Sequence, residues 1–218
     1  SEMERTLQVL DYAVLVVSGT DGVQGHTRTL WRLLEQYRIP AFLCINKMDL
    51  PGADRGAVLE QLRTQLGEGC VDFGQPEAAL WEQVALCGEE ALERYLEQGK
   101  LSHRDAAELI RRRRLFPCLF GSALRLEGVD ALLEVLERDT LAPVYGPDFG
   151  ARVYKIARDS QGGRLTWLKL TGGTLRVKDL VTNRRCGRRR WIRSGSTPER
   201  NTVWRSRPRR GACAPLPD

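Results

Sequence analysis

Ala41-Phe42-Leu43-Cys44-Ile45 runs straight into Asn46-Lys47-Met48-Asp49. Five apolar residues in succession, introduced by Pro40, read as a strand buried on both faces, the kind a parallel sheet contains. The strand delivers an Asn-Lys-x-Asp tetrad at its C-terminal end, where open α/β sheets hold their ligands. Those residue types suit guanine. A carboxylate at the fourth position can accept from both the ring N–H and the exocyclic amine of that base. Adenine offers no such donor pair and would leave the buried carboxylate unpaired. The Asn amide can tie the loop and read the other edge of the base. The Lys stem can lie along the ring face with its head in water.

Working outward, Ala13-Val14-Leu15-Val16-Val17 is a second strand of the same type, followed by the turn Ser18-Gly19-Thr20-Asp21-Gly22. Residues 24–37 predict an amphipathic helix with Leu30, Trp31, Leu34 and Tyr37 on one stripe, and 54–66 predict another. This alternation is the βαβ rhythm of a parallel sheet with flanking helices, an α/β fold. Residues 67–114 break the rhythm and read as a helical insertion, with helical patterns around 77–97 and 103–114. Phe116 to Phe120 resumes the sheet and ends in Gly121-Ser122-Ala123. Small residues there let backbone N–H groups approach the carbonyl oxygen of guanine. Two base-reading loops at successive strand ends are far more specific than either alone. The candidate nucleotide-binding set is therefore Asn46, Lys47, Asp49, Ser122 and Ala123. Val129 to Arg138 predicts the helix that closes this unit, which spans residues 1–141.

Pro143 and Pro147 mark a linker over 142–150. From 151 to 183 short apolar runs alternate around Gly162-Gly163 and Gly172-Gly173, the hairpin chemistry of the opening strands of a small β-barrel. Beyond Asn183 no period of two or 3.6 is sustained. Residues 184–218 hold eleven arginines against two acids, a local charge of +9, so residues 1–183 carry −3 of the overall +6. The basicity belongs to that segment alone. Two readings stand for it. One is an irregular basic tail with aromatic interleaving, able to bind RNA. The other is translation out of frame, since GC-rich DNA read that way yields Arg, Gly, Pro, Ala and Ser.

The phosphate side of a nucleotide site is missing from these residues. No G-x-x-x-x-G-K-S/T occurs, so the backbone cradle and its lysine are absent. No D-x-x-G precedes residue 13, and no threonine is marked as a ligand for Mg²⁺. Phosphoryl transfer depends on positioning and electrostatics at those groups, so no catalytic residue is assigned and GTP hydrolysis by this chain alone is expected to be negligible. His26 and His103 have no metal-spaced or carboxylate companion in sequence and read as surface residues. The six cysteines show no C-x-x-C spacing. Reduced thiols, no metal and a cytoplasmic setting are expected. No apolar run approaches the roughly 20 residues that span a bilayer.

Taken together, Val9-Leu10-Asp11-Tyr12-Ala13-Val14-Leu15-Val16-Val17-Ser18, Asp21-Gly22-Val23-Gln24, Thr27-Arg28, Asn46-Lys47-Met48-Asp49 and Leu92-Glu93-Arg94-Tyr95-Leu96 resemble a translational GTPase. Leu115-Phe116-Pro117, Gly121-Ser122-Ala123 and Gly128-Val129-Asp130-Ala131-Leu132-Leu133 extend the likeness. The resemblance is to the tetracycline-resistance ribosomal protection proteins, relatives of elongation factor G, and runs to about residue 183. It implies the C-terminal half of a P-loop-type G domain followed by the start of a translation-factor β-barrel. It also implies GTP with Mg²⁺, the ribosome as partner, and Asn46, Lys47 and Asp49 as guanine readers, with Ser122 and Ala123 supplying the second loop. The family's phosphate loop and switch regions would lie before Ser1, so a fragment is expected. An RNA-binding protein acting through 184–210 and an inert relic are the alternatives. A sheet without neighbours for 13–17 exposes an edge, so self-association is expected.

Overall fold

The computed structural model describes residues 2–158, 160, 162–176, 180–183, 187–193 and 201–206. They divide into two compact units, one of residues 10–142 and one of residues 1–9 with 143–218.

The larger unit is an α/β sandwich. Strands β1 (Ala13–Ser18), β2 (Ala41–Asn46), β3 (Cys70–Asp72) and β4 (Phe116–Phe120) form a parallel sheet in the order β1-β2-β4-β3. The register sets Ser18 opposite Asn46 and Ile45 opposite Phe120, so three strands end together at one edge. Helices α2 (Gly25–Gln36) and α3 (Arg55–Leu66) connect the first three strands, and α7 (Val129–Arg138) follows the last. Asp54 caps α3, its carboxylate accepting from the Ala57 N–H at 3.0 Å.

The segment expected to be a helical insertion begins with a strand of the sheet. Cys70-Val71-Asp72 is too short to show alternation, and its pairing with β4 is what makes it a strand. Three helices follow: α4 (Glu77–Ala85), α5 (Glu89–Gln98) and α6 (His103–Arg111). The pattern over 77–97 is two helices because Gly88 caps the second in an extended conformation. Ser102 and Asp105 form a reciprocal capping box that starts α6. The three helices share the core of the sheet. Leu80, Trp81, Val84 and Ile110 are buried with Phe42, Val71, Leu115 and Leu119.

Two readings of charged residues here need correction. As a charge run, Arg111-Arg112-Arg113-Arg114 reads in sequence as a solvated helix end; three of the four are exposed, yet Arg113 is half-buried, its guanidinium 4.9 Å from the Trp31 ring and 5.2 Å from Phe116. It also donates to the Ile39 carbonyl. A long stem and a planar head allow arginine to cover apolar surface in this way. His103 does have a carboxylate companion: its Nδ1 is 2.9 Å from Oδ1 of the fully buried Asp139, 36 residues away, and its ring stands edge-on to Trp81. A contact over that separation leaves no trace in local spacing.

The other unit pairs α1 (Glu2–Leu7) with an antiparallel sheet ordered β5-β6-β9-β8-β7. The strands are β5 (Gly150–Arg158), β6 (Arg164–Gly172), β7 (Leu180–Asn183), β8 (Gly187–Arg193) and β9 (Asn201–Ser206). Gly162, at φ 76°, lies in the β5–β6 connection where a left-handed residue is needed. The buried Lys169 donates to the Val9 carbonyl at 2.7 Å. Strands β8 and β9 lie in the segment that shows no sustained alternation. Their ladder uses backbone groups, which pair whatever the side chains, so the segment is not irregular throughout. Residues 207–218 lie outside the described residues.

Candidate nucleotide-binding site

Strand β2 ends at Asn46, and the chain then turns sharply. Lys47 adopts φ +65°, a left-handed conformation that costs a non-glycine residue about 1–2 kcal/mol. The turn is held by its own atoms: the Lys47 N–H donates to Asn46 Oδ1 at 2.8 Å, and the Leu50 N–H donates to the Lys47 carbonyl at 3.2 Å. The cost is local, at an exposed loop over the strand ends, the setting in which backbone strain accompanies function.

The second loop is joined to the first. Asn46 Oδ1 also accepts from the Ala123 N–H at 2.8 Å, across 77 residues of chain. The Met48 N–H donates to the Gly121 carbonyl at 3.1 Å, and the Gly121 N–H donates to Ile45 at 2.9 Å. One side-chain oxygen thus fixes both loops. The Asn46 amide nitrogen has no partner among the described residues, so its hydrogens are available to a ligand.

Asp49 follows two residues after the strained turn. Its side chain is mostly buried, with 8% exposure. A hydrogen bond from Ser122 holds the carboxyl below its ordinary pKa. Burial opposes this, while its own backbone N–H and the positive charge of Arg125 add to the lowering. The carboxylate is therefore ionised throughout the neutral range, as an acceptor for two donors requires. Ser122 is itself buried, and its N–H and C=O exchange hydrogen bonds with Glu127 at 3.0 Å each.

All five residues marked in the sequence lie at this one edge. The second loop does its work differently from the expectation, however. The N–H groups of Ser122 and Ala123 are both used inside the protein, so Ser122 contributes its hydroxyl to Asp49 and Ala123 anchors Asn46. Sequence reasoning missed three contributors. Gly19, at the end of β1, donates to the Asn46 carbonyl at 2.7 Å, and a Cβ there would lie 2.6 Å from Met48 Sδ. Its place after a strand of the same sheet was a usable signal. Arg55 forms two bonds to the buried Asp72, at 2.6 and 2.5 Å, and its guanidinium lies 4.7 Å from the Phe120 ring, bracing the base of the second loop. Arg125 approaches Asp49 at 3.4 Å. The last two depend on tertiary contacts and had no local signature.

Among the described residues no three His, Cys, Asp or Glu side chains gather to hold a metal ion. The thiols of the buried Cys118 and the half-buried Cys87 are pushed up by desolvation, the latter to about 11, which makes them poor nucleophiles. No helix among the described residues is long and apolar enough to cross a membrane.

Residues 1–141 match the elongation factor Tu GTP binding domain. The oxytetracycline resistance protein of Streptomyces rimosus is 35% identical over 211 residues, covering 84% of this chain. The chain spans about a third of that relative, 32% of its length. A crystal structure of a protein from Thermus thermophilus superposes on 99% of this chain and 44% of its own with a TM-score of 0.73. At 21% identity, that likeness concerns the fold.

Proposed function

Because this chain belongs to the elongation factor Tu GTP binding domain family, we propose that the edge formed by Asn46, Lys47, Asp49, Ser122 and Ala123 reads the guanine of GTP. The observation that carries the proposal is the double use of Asn46 Oδ1, which locks the two loops together at the strand end that also carries a mostly buried, ionised Asp49. The Asp49 carboxylate accepts from N1–H and the 2-amino group. The Asn46 amide donates to the opposite edge, and the Lys47 stem covers a ring face. The site selects by the penalty on the wrong base: adenine would leave a buried carboxylate without donors.

Within the family, the match to an oxytetracycline resistance protein supports a ribosomal protection type of translational GTPase, acting in the cytoplasm on the ribosome. The larger unit, residues 10–142, then corresponds to the base-reading half of the G domain, and the antiparallel unit, which also takes in residues 1–9, to the opening of a β-barrel domain. The group that carries the reaction, GTP with its Mg²⁺, fits these residues in part. They hold the base, but no phosphate cradle occurs in the sequence and no metal cluster among the described residues to receive the rest. No hydrolytic step is derived from them.

Titration of the purified chain with GDP and ADP tests the reading. GDP is expected to bind in preference to ADP, and Asp49→Asn to remove the preference. Equal binding of both nucleotides to the wild type would refute it. GTP turnover by the pure chain that Asp49→Ala abolishes would refute the claim that it does not hydrolyse GTP alone. The +9 charge of residues 184–218 favours a second reading, RNA binding through that segment. It predicts affinity that falls steeply with salt and disappears on truncation after Asn183.

A further inference from the structure

The carboxylate assigned to guanine already faces a guanidinium. Arg125 Nε lies 3.4 Å from Asp49 Oδ2, close enough for an ion pair. The Arg125 side chain is 59% exposed, whereas Asp49 is mostly buried. The arginine therefore reaches in from solvent and meets the carboxylate through Nε. Its backbone is anchored. The mutual hydrogen bonds of Ser122 and Glu127 close the loop beneath it, and the Arg125 N–H approaches Ser122 Oγ at 3.4 Å. Leu126 turns the chain at φ +59°. A fixed backbone with a loosely held head can swing without disturbing the loop.

The chemistry of the two partners is the same. The N1–C2–N2 edge of guanine is a guanidine fragment, planar, with N–H donors directed to one side. Arginine presents the same donor type with a full positive charge. A carboxylate offers about four lone-pair sites. The Ser122 hydroxyl and the Asp49 backbone N–H occupy part of that capacity. A base that bonds through both N1–H and the 2-amino group needs both oxygens, including the one Arg125 faces.

We infer that Arg125 is a placeholder: it pairs with Asp49 while the base site is empty, and guanine binds by displacing it. The inference rests on the guanine reading above and adds a determinant of affinity to it. The empty site keeps its buried carboxylate paired, and base binding is weakened by whatever the pair contributes. Arg125 acts through Asp49 and is a positioning residue for the empty state.

The test uses guanosine as probe, because it carries no charge and leaves out the phosphates. Binding to the full chain is followed by NMR shift perturbation for wild type, Arg125→Ala and Arg125→Gln, with adenosine as control. Loss of the pair should tighten guanosine binding about two- to five-fold in both variants, the range that half-exposed ion pairs support. Raising the salt concentration should strengthen binding to the wild type and leave the variants unmoved, a response that a merely structural arginine would not produce. Agreement of the two variants, with unchanged backbone spectra, guards against misfolding of either. Equal or weaker guanosine binding by folded variants would overturn the placeholder while sparing the base site. Absence of guanosine binding by wild type and variants alike would overturn the guanine reading and the placeholder with it.

Discussion

Strands β1 and β2 have nearly interchangeable sequences, yet β2 is enclosed on both faces and β1, through Leu15 and Val17, on one. Val14-Leu15-Val16-Val17 and Phe42-Leu43-Cys44-Ile45 pair in register along their whole length. In β2 the apolar side chains Phe42, Leu43 and Ile45 are fully enclosed. In β1, Val14 and Val16 remain 41% and 59% exposed. β2 has a strand on each side, while β1 is the edge of the sheet among the described residues. An apolar run states that a strand can be buried. Its neighbours decide whether it is.

The sharpest break in that comparison is a pair of truncations. Phe42→Ala should cost about 3–5 kcal/mol, because the cavity would open where helices α4 and α6 meet the sheet. Val16→Ala should stay within about 0.5 kcal/mol, since half of its side chain already meets water. Urea denaturation midpoints compare the two, and similar losses would show that β1 is covered in solution.

The next largest effect concerns the end of β2. Asn46→Ala removes the acceptor shared by the Lys47 and Ala123 N–H groups. About 1–3 kcal/mol should be lost. Hydrogen exchange should accelerate at both amides, far apart in sequence, and stay slow along β4. Faster exchange at Lys47 alone would mean that the loops are not joined through this side chain.

A smaller effect is expected at the edge. Val14→Lys or Val16→Lys should leave stability within about 0.5 kcal/mol and reduce self-association, because a charge on an exposed strand face opposes pairing between copies. Sedimentation velocity reads the outcome directly. A wild-type chain that is monomeric at high concentration and melts cooperatively would contradict the expected association.

The smallest effect is a pH response. The folded pKa of Asp49 lies below its unfolded value. Its contribution is therefore complete above the unfolded carboxylate range, near about 3.9, and is lost as pH falls through the folded pKa. Asp49→Asn should flatten the acid limb of the stability profile slightly. Ser122→Ala should move the Asp49 titration upward, as carbon-detected NMR of the carboxyl would show. An unmoved titration would mean that Ser122 does not hold the carboxylate.

Much of the larger unit was legible from local pattern. Strand Phe116–Phe120 and helix Val129–Arg138 have the limits that their apolar spacing predicts, and β1 and β2 extend one residue further than read. β3 was not legible, because three residues cannot display a period and its identity lies in its partner. The break at Gly88 was hidden by helical spacing that continues across it. Arg113, His103 and Arg55 take their roles from Trp31, Asp139 and Asp72, residues that only folding brings near.

By itself the sequence determined an α/β unit with Asn46, Lys47, Asp49, Ser122 and Ala123 at strand ends, because side-chain type and local period act over a few residues. Only the tertiary structure decided that Asn46 binds the second loop, that Ser122 serves Asp49 through its hydroxyl, and that Arg125 faces the same carboxylate. Those outcomes rest on distances of about 3 Å between segments some 75 residues apart in the chain, which no local pattern encodes.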